Sequence, residues 1–206
     1  MGVISAARRA STTTLLLAML TGASSPHAFG DAAFEPELEF SGETRTYRMT
    51  LTGQTERKFL LFRVYDIAHY AEPTTDPPEL TPATVVVDGP AKAIAIHFAR
   101  TLSKKRVREE LRNSIQRNAR PDWLERAATT IERFLDAIDR DAEAGDRLVY
   151  YWLPGGRIHA EFNGEILFTA EDVMFAKLIW LIWFGEDPAC DRDALLALSH
   201  HEEADL

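Results

Sequence analysis

The first apolar positions in the chain follow no surface period. Leu15, Leu16, Leu17, Ala18, Met19 and Leu20 form an unbroken run behind Arg8 and Arg9, and Ala28-Phe29-Gly30 supplies a small-x-small site. This tripartite pattern predicts an export signal over 1–30, removed before Asp31. The run is far short of the roughly 20 residues that a spanning helix needs, so no membrane span is expected. Residues 31–43 are acidic and aperiodic, and are expected to be loose. Thr44 to Leu51 alternates Thr44, Thr46, Arg48 and Thr50 against Arg45, Tyr47, Met49 and Leu51, which predicts a half-buried strand. Lys58 to Tyr70 is rich in aromatic and branched residues and reads as a second strand. Pro73, Asp76, Pro77, Pro78 and Pro82 mark a loop. Ala83 to Val87 and Ala91 to Ala99 read as two more strands around Asp88-Gly89-Pro90.

The period then changes. Ser103 is a candidate N-cap for a helix reaching about Asn118, with Val107, Leu111, Ser114 and Ile115 at spacings of three and four. A second helix starts at Pro121-Asp122, carries Leu124, Ala127, Ala128, Ile131, Phe134, Leu135 and Ile138 on one face, and is expected to end at Gly145-Asp146. Leu148 to Leu153 is a strand, and Pro154-Gly155-Gly156 a turn. Arg157 to Phe162 and Glu165 to Phe168 flank Asn163-Gly164, a strong hairpin signal. Ala170 to Phe184 is apolar on every side and too short to span a bilayer, so it predicts a buried helix. A short helix over Asp191 to Leu198 and a polar tail over 199–206 close the chain. Strands, two amphipathic helices, strands and a buried helix, in that order, predict an α+β fold, with an antiparallel sheet and helices on one face.

Composition narrows the function. The chain has 206 residues, 46% apolar and 27% charged, which suits one globular domain and excludes low-complexity and collagen-like classes. The formal charge is −9, from 23 basic and 32 acidic side chains. Neither a nucleic acid nor an anionic membrane is expected as the main partner, because both need basic surface. Removing 1–30 takes away Arg8 and Arg9 and no acid, so the imbalance deepens. An anionic ligand held against that field is expected to bind equally well or tighter as salt rises. Cys190 stands alone and builds neither a disulfide framework nor a thiolate cage. No histidine pair has the i, i+4 spacing of a helical zinc motif, and Gly155-Gly156 precedes a strand rather than a helix. No metal and no cofactor are expected.

The informative stretch is Leu51 to Tyr70. Alternation puts Phe59, Leu61, Arg63, Tyr65, Ile67 and His69 on one face, with Arg57 in the same parity. An arginine and a tyrosine on an apolar face suit an amphipathic anion: the guanidinium forks onto a carboxylate or phenolate, the phenol donates, and apolar neighbours hold the tail. The alternative is a core tyrosine with a satisfied hydroxyl and two solvent-facing arginines.

The chain also resembles a known family, in matches that come in order. Leu51-Thr52-Gly53 leads to Arg57-Lys58-Phe59, then Phe62-Arg63-Val64-Tyr65 and Tyr70. Phe98-Ala99-Arg100 precedes the helix after Ser103. Gly145-Asp146, Tyr150 to Pro154, Gly156 and Asn163-Gly164 follow. Trp183-Phe184-Gly185-Glu186-Asp187-Pro188 and Leu195-Leu196 close the set. Over about Arg45 to Leu198 this resembles the chalcone isomerase-like domain of exported bacterial proteins. The resemblance implies an open-faced β-sandwich, a large antiparallel sheet with helices packed on one face and a ligand cleft between them. In the plant enzymes of this fold an arginine binds the substrate anion during ring closure. In the fatty-acid-binding relatives an arginine and a tyrosine hold a carboxylate. Arg57 is the matching arginine, Tyr65 falls near a hydroxyl-bearing threonine of the enzymes, and Asn113 matches their helix asparagine. Where the enzymes carry a tyrosine at the start of the first long helix, this chain reads Lys104-Lys105-Arg106-Val107.

The resulting expectation is an exported, periplasmic or secreted, non-catalytic domain over 44–198. It binds a small amphipathic anion such as a fatty acid through Arg57, Tyr65, Arg63 and Asn113. Two alternatives stand beside it: an intramolecular lyase or isomerase for a phenolic or enone substrate, and a structural or partner-binding protein whose core is filled by Trp180 and Trp183. The sequence leaves the oligomeric state open.

Overall fold

The structure, a computed structural model, describes residues 34–74 and 79–200. The predicted signal over 1–30, the start of the acidic segment, Asp76-Pro77-Pro78 of the loop, and the tail from His201 lie outside the described residues. Seven strands pair antiparallel in chain order: β1 (Glu37–Ser41), β2 (Thr46–Phe59), β3 (Phe62–Ala71), β4 (Lys92–Phe98), β5 (Arg147–Leu153), β6 (Arg157–Phe162) and β7 (Glu165–Glu171). Helices α1 (Lys104–Asn118) and α2 (Pro121–Ala137) connect β4 to β5, and α3 (Val173–Phe184) follows β7. A short 3-10 helix over Ala194–His200 comes last. The sheet curls, with its helices on one face, as the predicted fold class requires.

Strand alternation sorts the core. Along β5, Leu148, Tyr150 and Trp152 join the layer shared with the helices, while Val149, Tyr151 and Leu153 join Phe40, Tyr47, Met49 and Tyr70 on the other face. Both faces are buried, which is why β5 reads as one apolar run. Helix α3 has no polar face: every residue from Leu178 to Phe184 is buried. Its start is fixed by Asp172, which accepts from Phe175 N at 3.0 Å and from Thr130 Oγ1 at 2.7 Å. Ser103 caps α1 as expected, accepting from Arg106 N at 3.3 Å. Among the described residues no helix is long and apolar enough to cross a membrane.

Several boundaries differ from the sequence reading. The acidic segment contains β1, because Phe40 supplies a buried side chain and the strand pairs with β2. Ala83 to Val87 is a turn: Thr81 and Thr84 satisfy each other's backbone, Thr84 N donating to Thr81 Oγ1 at 3.2 Å and Thr81 N to Thr84 Oγ1 at 2.9 Å. Helix α2 stops at Ala137, well before Gly145, and β7 runs on through Glu171. The largest change is at Phe59 to Phe62. The two strands expected over Thr44–Leu51 and Lys58–Tyr70 are present with other bounds: β2 runs on to Phe59, and β2 and β3 meet in a two-residue turn of Leu60 and Leu61.

Two hairpins thus close on two residues, with different chemistry. Asn163 and Gly164 sit at φ 51° and 81°, the left-handed pair that their sequence favours. Leu60 also sits in the left-handed region, at φ 55°, which costs a non-glycine residue roughly 1–2 kcal/mol. Gly53 is a case of close approach: a Cβ there would collide with Ala194 O and the Leu195 backbone of the 3-10 helix.

Candidate functional site

A cavity of about 740 Å³ opens between the sheet and the helices, at the turn end of the β2–β3 hairpin. That size suits a small organic ligand. Its sheet wall is Arg57, Val64, Tyr65, Ile96, Phe98, Leu148 and Tyr150; α1 contributes Arg106, Val107, Glu110, Leu111, Ser114 and Arg117; Ile182, Trp183 and Ala189 complete it from α3 and the loop after it.

Arg57 and Tyr65 are direct partners across β2 and β3, so both project to the same face. Arg57 Nη1 donates to Ala189 O at 2.5 Å, which anchors one edge of the guanidinium and leaves its other N–H groups for a ligand. Tyr65 accepts from Trp183 Nε1 at 3.0 Å. The indole takes an oxygen lone pair and leaves the phenol proton to donate. Burial pushes the Tyr65 hydroxyl well above its ordinary pKa, and the same holds for Tyr150. Both therefore act as donors, not as phenolates.

Arg63 does not reach the cavity. The ladder shifts between Arg57/Tyr65 and Lys58/Arg63, making Val64 an extra residue in β3. Val64 and Tyr65 then both line the cavity, and Val64 O accepts from Ala99 N at 3.0 Å. The bulge inverts the alternation beyond it, and Arg63 pairs with Asp66 at 3.3 Å instead. Asn113 is also displaced. It is exposed on α1, one residue and about 100° of rotation from Ser114, the residue that does face the cavity. Ser114 Oγ accepts from Arg117 Nη2 at 3.0 Å. At the helix start, Arg106 and Val107 line the wall, with Arg106 paired to Glu110 at 2.7 Å.

Tyr150 is a cavity residue that the sequence reading did not single out. It is 1% exposed, it lines the cavity, and among the described residues its hydroxyl has no hydrogen-bond partner. A buried orphan hydroxyl is costly unless something fills the space beside it. The strand reading of Leu148 to Leu153 gave Tyr150 its parity, but nothing in the sequence marked its hydroxyl as unsatisfied.

Trp180 is core: it packs on Trp152 with ring centroids 5.2 Å apart. Trp183 lines the cavity without filling it, so the filled-core reading does not describe this end of the molecule. Cys190 lies beside Arg57, but burial pushes its pKa up to about 12 and Asp191 adds to this, against the pull of Arg57. It stays a thiol and is no nucleophile. Among the described residues no group of three histidine, cysteine or acidic side chains could hold a metal ion.

Comparison with known proteins supplies a family. The family model described as chalcone isomerase-like matches residues 29–196. No curated protein matches the sequence. Among solved structures, a fatty-acid binding protein of Arabidopsis thaliana aligns with a TM-score of 0.57 and 14% identity, covering 79% of this chain and 90% of that one. At that identity the likeness establishes the fold.

Proposed function

The chain belongs to the chalcone isomerase-like family, and from that premise we propose that it is an exported, non-catalytic protein binding a small amphipathic anion such as a fatty acid. The observation that carries this reading is the cavity itself, where Arg57, Tyr65 and the unpartnered Tyr150 hydroxyl converge on otherwise apolar walls. A carboxylate accepts from the Arg57 fork and from one or both phenols, and the hydrocarbon tail lies against Ile96, Phe98, Leu111, Leu148 and Ile182. The name of the Arabidopsis protein agrees with a ligand of this kind.

Binding is favoured over turnover by what α1 presents. By the family resemblance, the start of α1, Lys104-Lys105-Arg106-Val107, is where the ring-closing enzymes carry a tyrosine; here Arg106 and Val107 line the cavity, and both buried phenols in it are held protonated. Export rests on the Arg8-Arg9 pair, the apolar run after it and the Ala28-Phe29-Gly30 site. It places the mature domain in the periplasm or outside the cell.

Native mass spectrometry with organic extraction of the purified protein tests the reading. The expected result is a co-purified carboxylic acid, or uptake of added dodecanoate by the empty protein. An empty protein that takes up no fatty acid in a calorimetric titration, or turnover of a chalcone panel lost in Arg57→Ala, would overturn it.

A further inference from the structure

Beside the cavity mouth, the β2–β3 hairpin ends in four consecutive apolar residues that the fold does not cover. Phe59 is 54% exposed, Leu60 78%, Leu61 91% and Phe62 63%. We propose that this tip is a membrane-docking element that inserts into the interface of a phospholipid bilayer. This second site adjoins the ligand cavity, sharing Phe59 and Arg100 with its lining, and does not depend on what fills the cavity.

Four observations agree on that partner. The tip is convex: it is a two-residue turn at the end of a long hairpin, with Phe59 facing Phe62 across the last rung. A projecting point enters a fluid apolar layer more readily than the flat, complementary patch of a protein partner. The turn has the wrong residues for a turn. Leu60 occupies a left-handed position that Asn163 fills in the Asn163-Gly164 hairpin. A leucine at that position lowers the stability of the turn, and Leu60 and Leu61 add nothing to the core, so their contribution is to a surface outside this fold. Cations then ring the base of the tip: Lys58, Arg63, and Arg100, whose guanidinium lies 5.7 Å from the Phe62 ring centroid. Lys58 pairs with Glu56 and Arg63 with Asp66, so the ring is weakly positive in a chain that is acidic as a whole. Apolar residues at the point and Arg or Lys one step behind it match the order of acyl chain and phosphate in a bilayer surface. Finally, Phe59 belongs both to the tip and to the cavity lining, so a docked tip brings the mouth to the lipid surface.

The experiment is flotation of the full chain with vesicles of phosphatidylcholine and phosphatidylglycerol, compared with L60N/L61G. That variant installs the Asn-Gly turn at the same two positions, so the fold is expected to hold or to gain thermal stability. The expected result is vesicle binding by the parent that weakens about tenfold or more in the variant. In a second readout, Leu61→Trp in vesicles with brominated acyl chains is quenched beyond the level of the parent. Equal flotation of parent and variant, no added quenching at position 61, or a concentration-dependent dimer that L60N/L61G abolishes would each overturn the proposal.

Discussion

At Tyr65 the hydroxyl proton is what remains for a ligand, because Trp183 Nε1 already sits on the oxygen at 3.0 Å. At Tyr150 nothing is satisfied. The two phenols therefore respond differently to loss of the hydroxyl. Tyr150→Phe removes an orphan buried group, so the empty protein should melt slightly higher while fatty-acid affinity falls several-fold. Tyr65→Phe leaves the Trp183 N–H unpaired, so both stability and affinity should fall. Arg57→Ala removes a charge-assisted contact, and affinity should drop about 10–100-fold in calorimetry. If Tyr150→Phe lowered the melting temperature and left affinity unchanged, the hydroxyl would have a partner inside the protein and no role at the ligand. At this scale the sequence was legible where period-2 alternation held. Arg57 and Tyr65 share a face because they are register partners. Arg63 was misplaced by a single extra residue, Val64, which no composition signal announces. Asn113 missed the cavity by one helical position, where Ser114 stands.

One chain of hydrogen bonds ties four elements together below the site. Trp180 Nε1 on α3 lies 3.4 Å from His69 Nε2 on β3, His69 Nδ1 lies 2.7 Å from Thr52 Oγ1 on β2, and Thr52 Oγ1 donates to Leu195 O of the 3-10 helix at 2.9 Å. The indole N–H points at Nε2, so the tautomer that fits is neutral with the proton on Nδ1. Burial and the charge of Lys92 push the His69 pKa down to about 3. The unfolded chain takes up this proton below about pH 6.5 and the folded one does not, so stability falls as pH drops through that window. His97 and His159 are shifted down as well and act with the same sign. The urea midpoint should therefore fall between pH 7 and pH 5, and the slope should shrink by about one proton in His69→Gln. An unchanged slope in that variant would mean that His69 is not held neutral. At the same junction, Gly53→Ala forces a methyl into Ala194 and Leu195, and should cost about 1–3 kcal/mol in denaturant unfolding. Element order was legible from β2 onward except at Ala83 to Val87, because runs with periods of 2 and 3.6 alternate in blocks; β1, whose one buried side chain is Phe40, was hidden in an acidic segment. What was lost was the Phe59–Phe62 turn, since four apolar residues with no Gly, Pro or Asn read as strand interior.

For the whole molecule, acidity and site charge have opposite signs. The chain carries −9, yet the cavity is lined by Arg57, Arg106 and Arg117, with Arg100 also at its edge, against Glu110 and Asp187. Arg106 pairs with Glu110, and Arg117 with Asp187 at 2.9 Å, leaving Arg57 and Arg100 to set the local field. The sequence implied that anion binding would stay flat or tighten with salt. The local field implies the reverse, because charges within about 10 Å outweigh a distributed surface. Fatty-acid affinity should weaken modestly as salt rises, and an affinity that tightens would restore the bulk-field view. Net charge was legible in the sequence; its segregation was not, because helix α1 and the β2–β3 hairpin bring distant arginines together only in the fold.

The most direct test is a crystal structure with dodecanoate bound. The carboxylate is expected within hydrogen-bond distance of Arg57 and of Tyr65 or Tyr150, with the acyl chain running along Ile96, Phe98 and Leu148. A chain bound in reverse, with its methyl end at Arg57, or a carboxylate held away from all three residues, would contradict it.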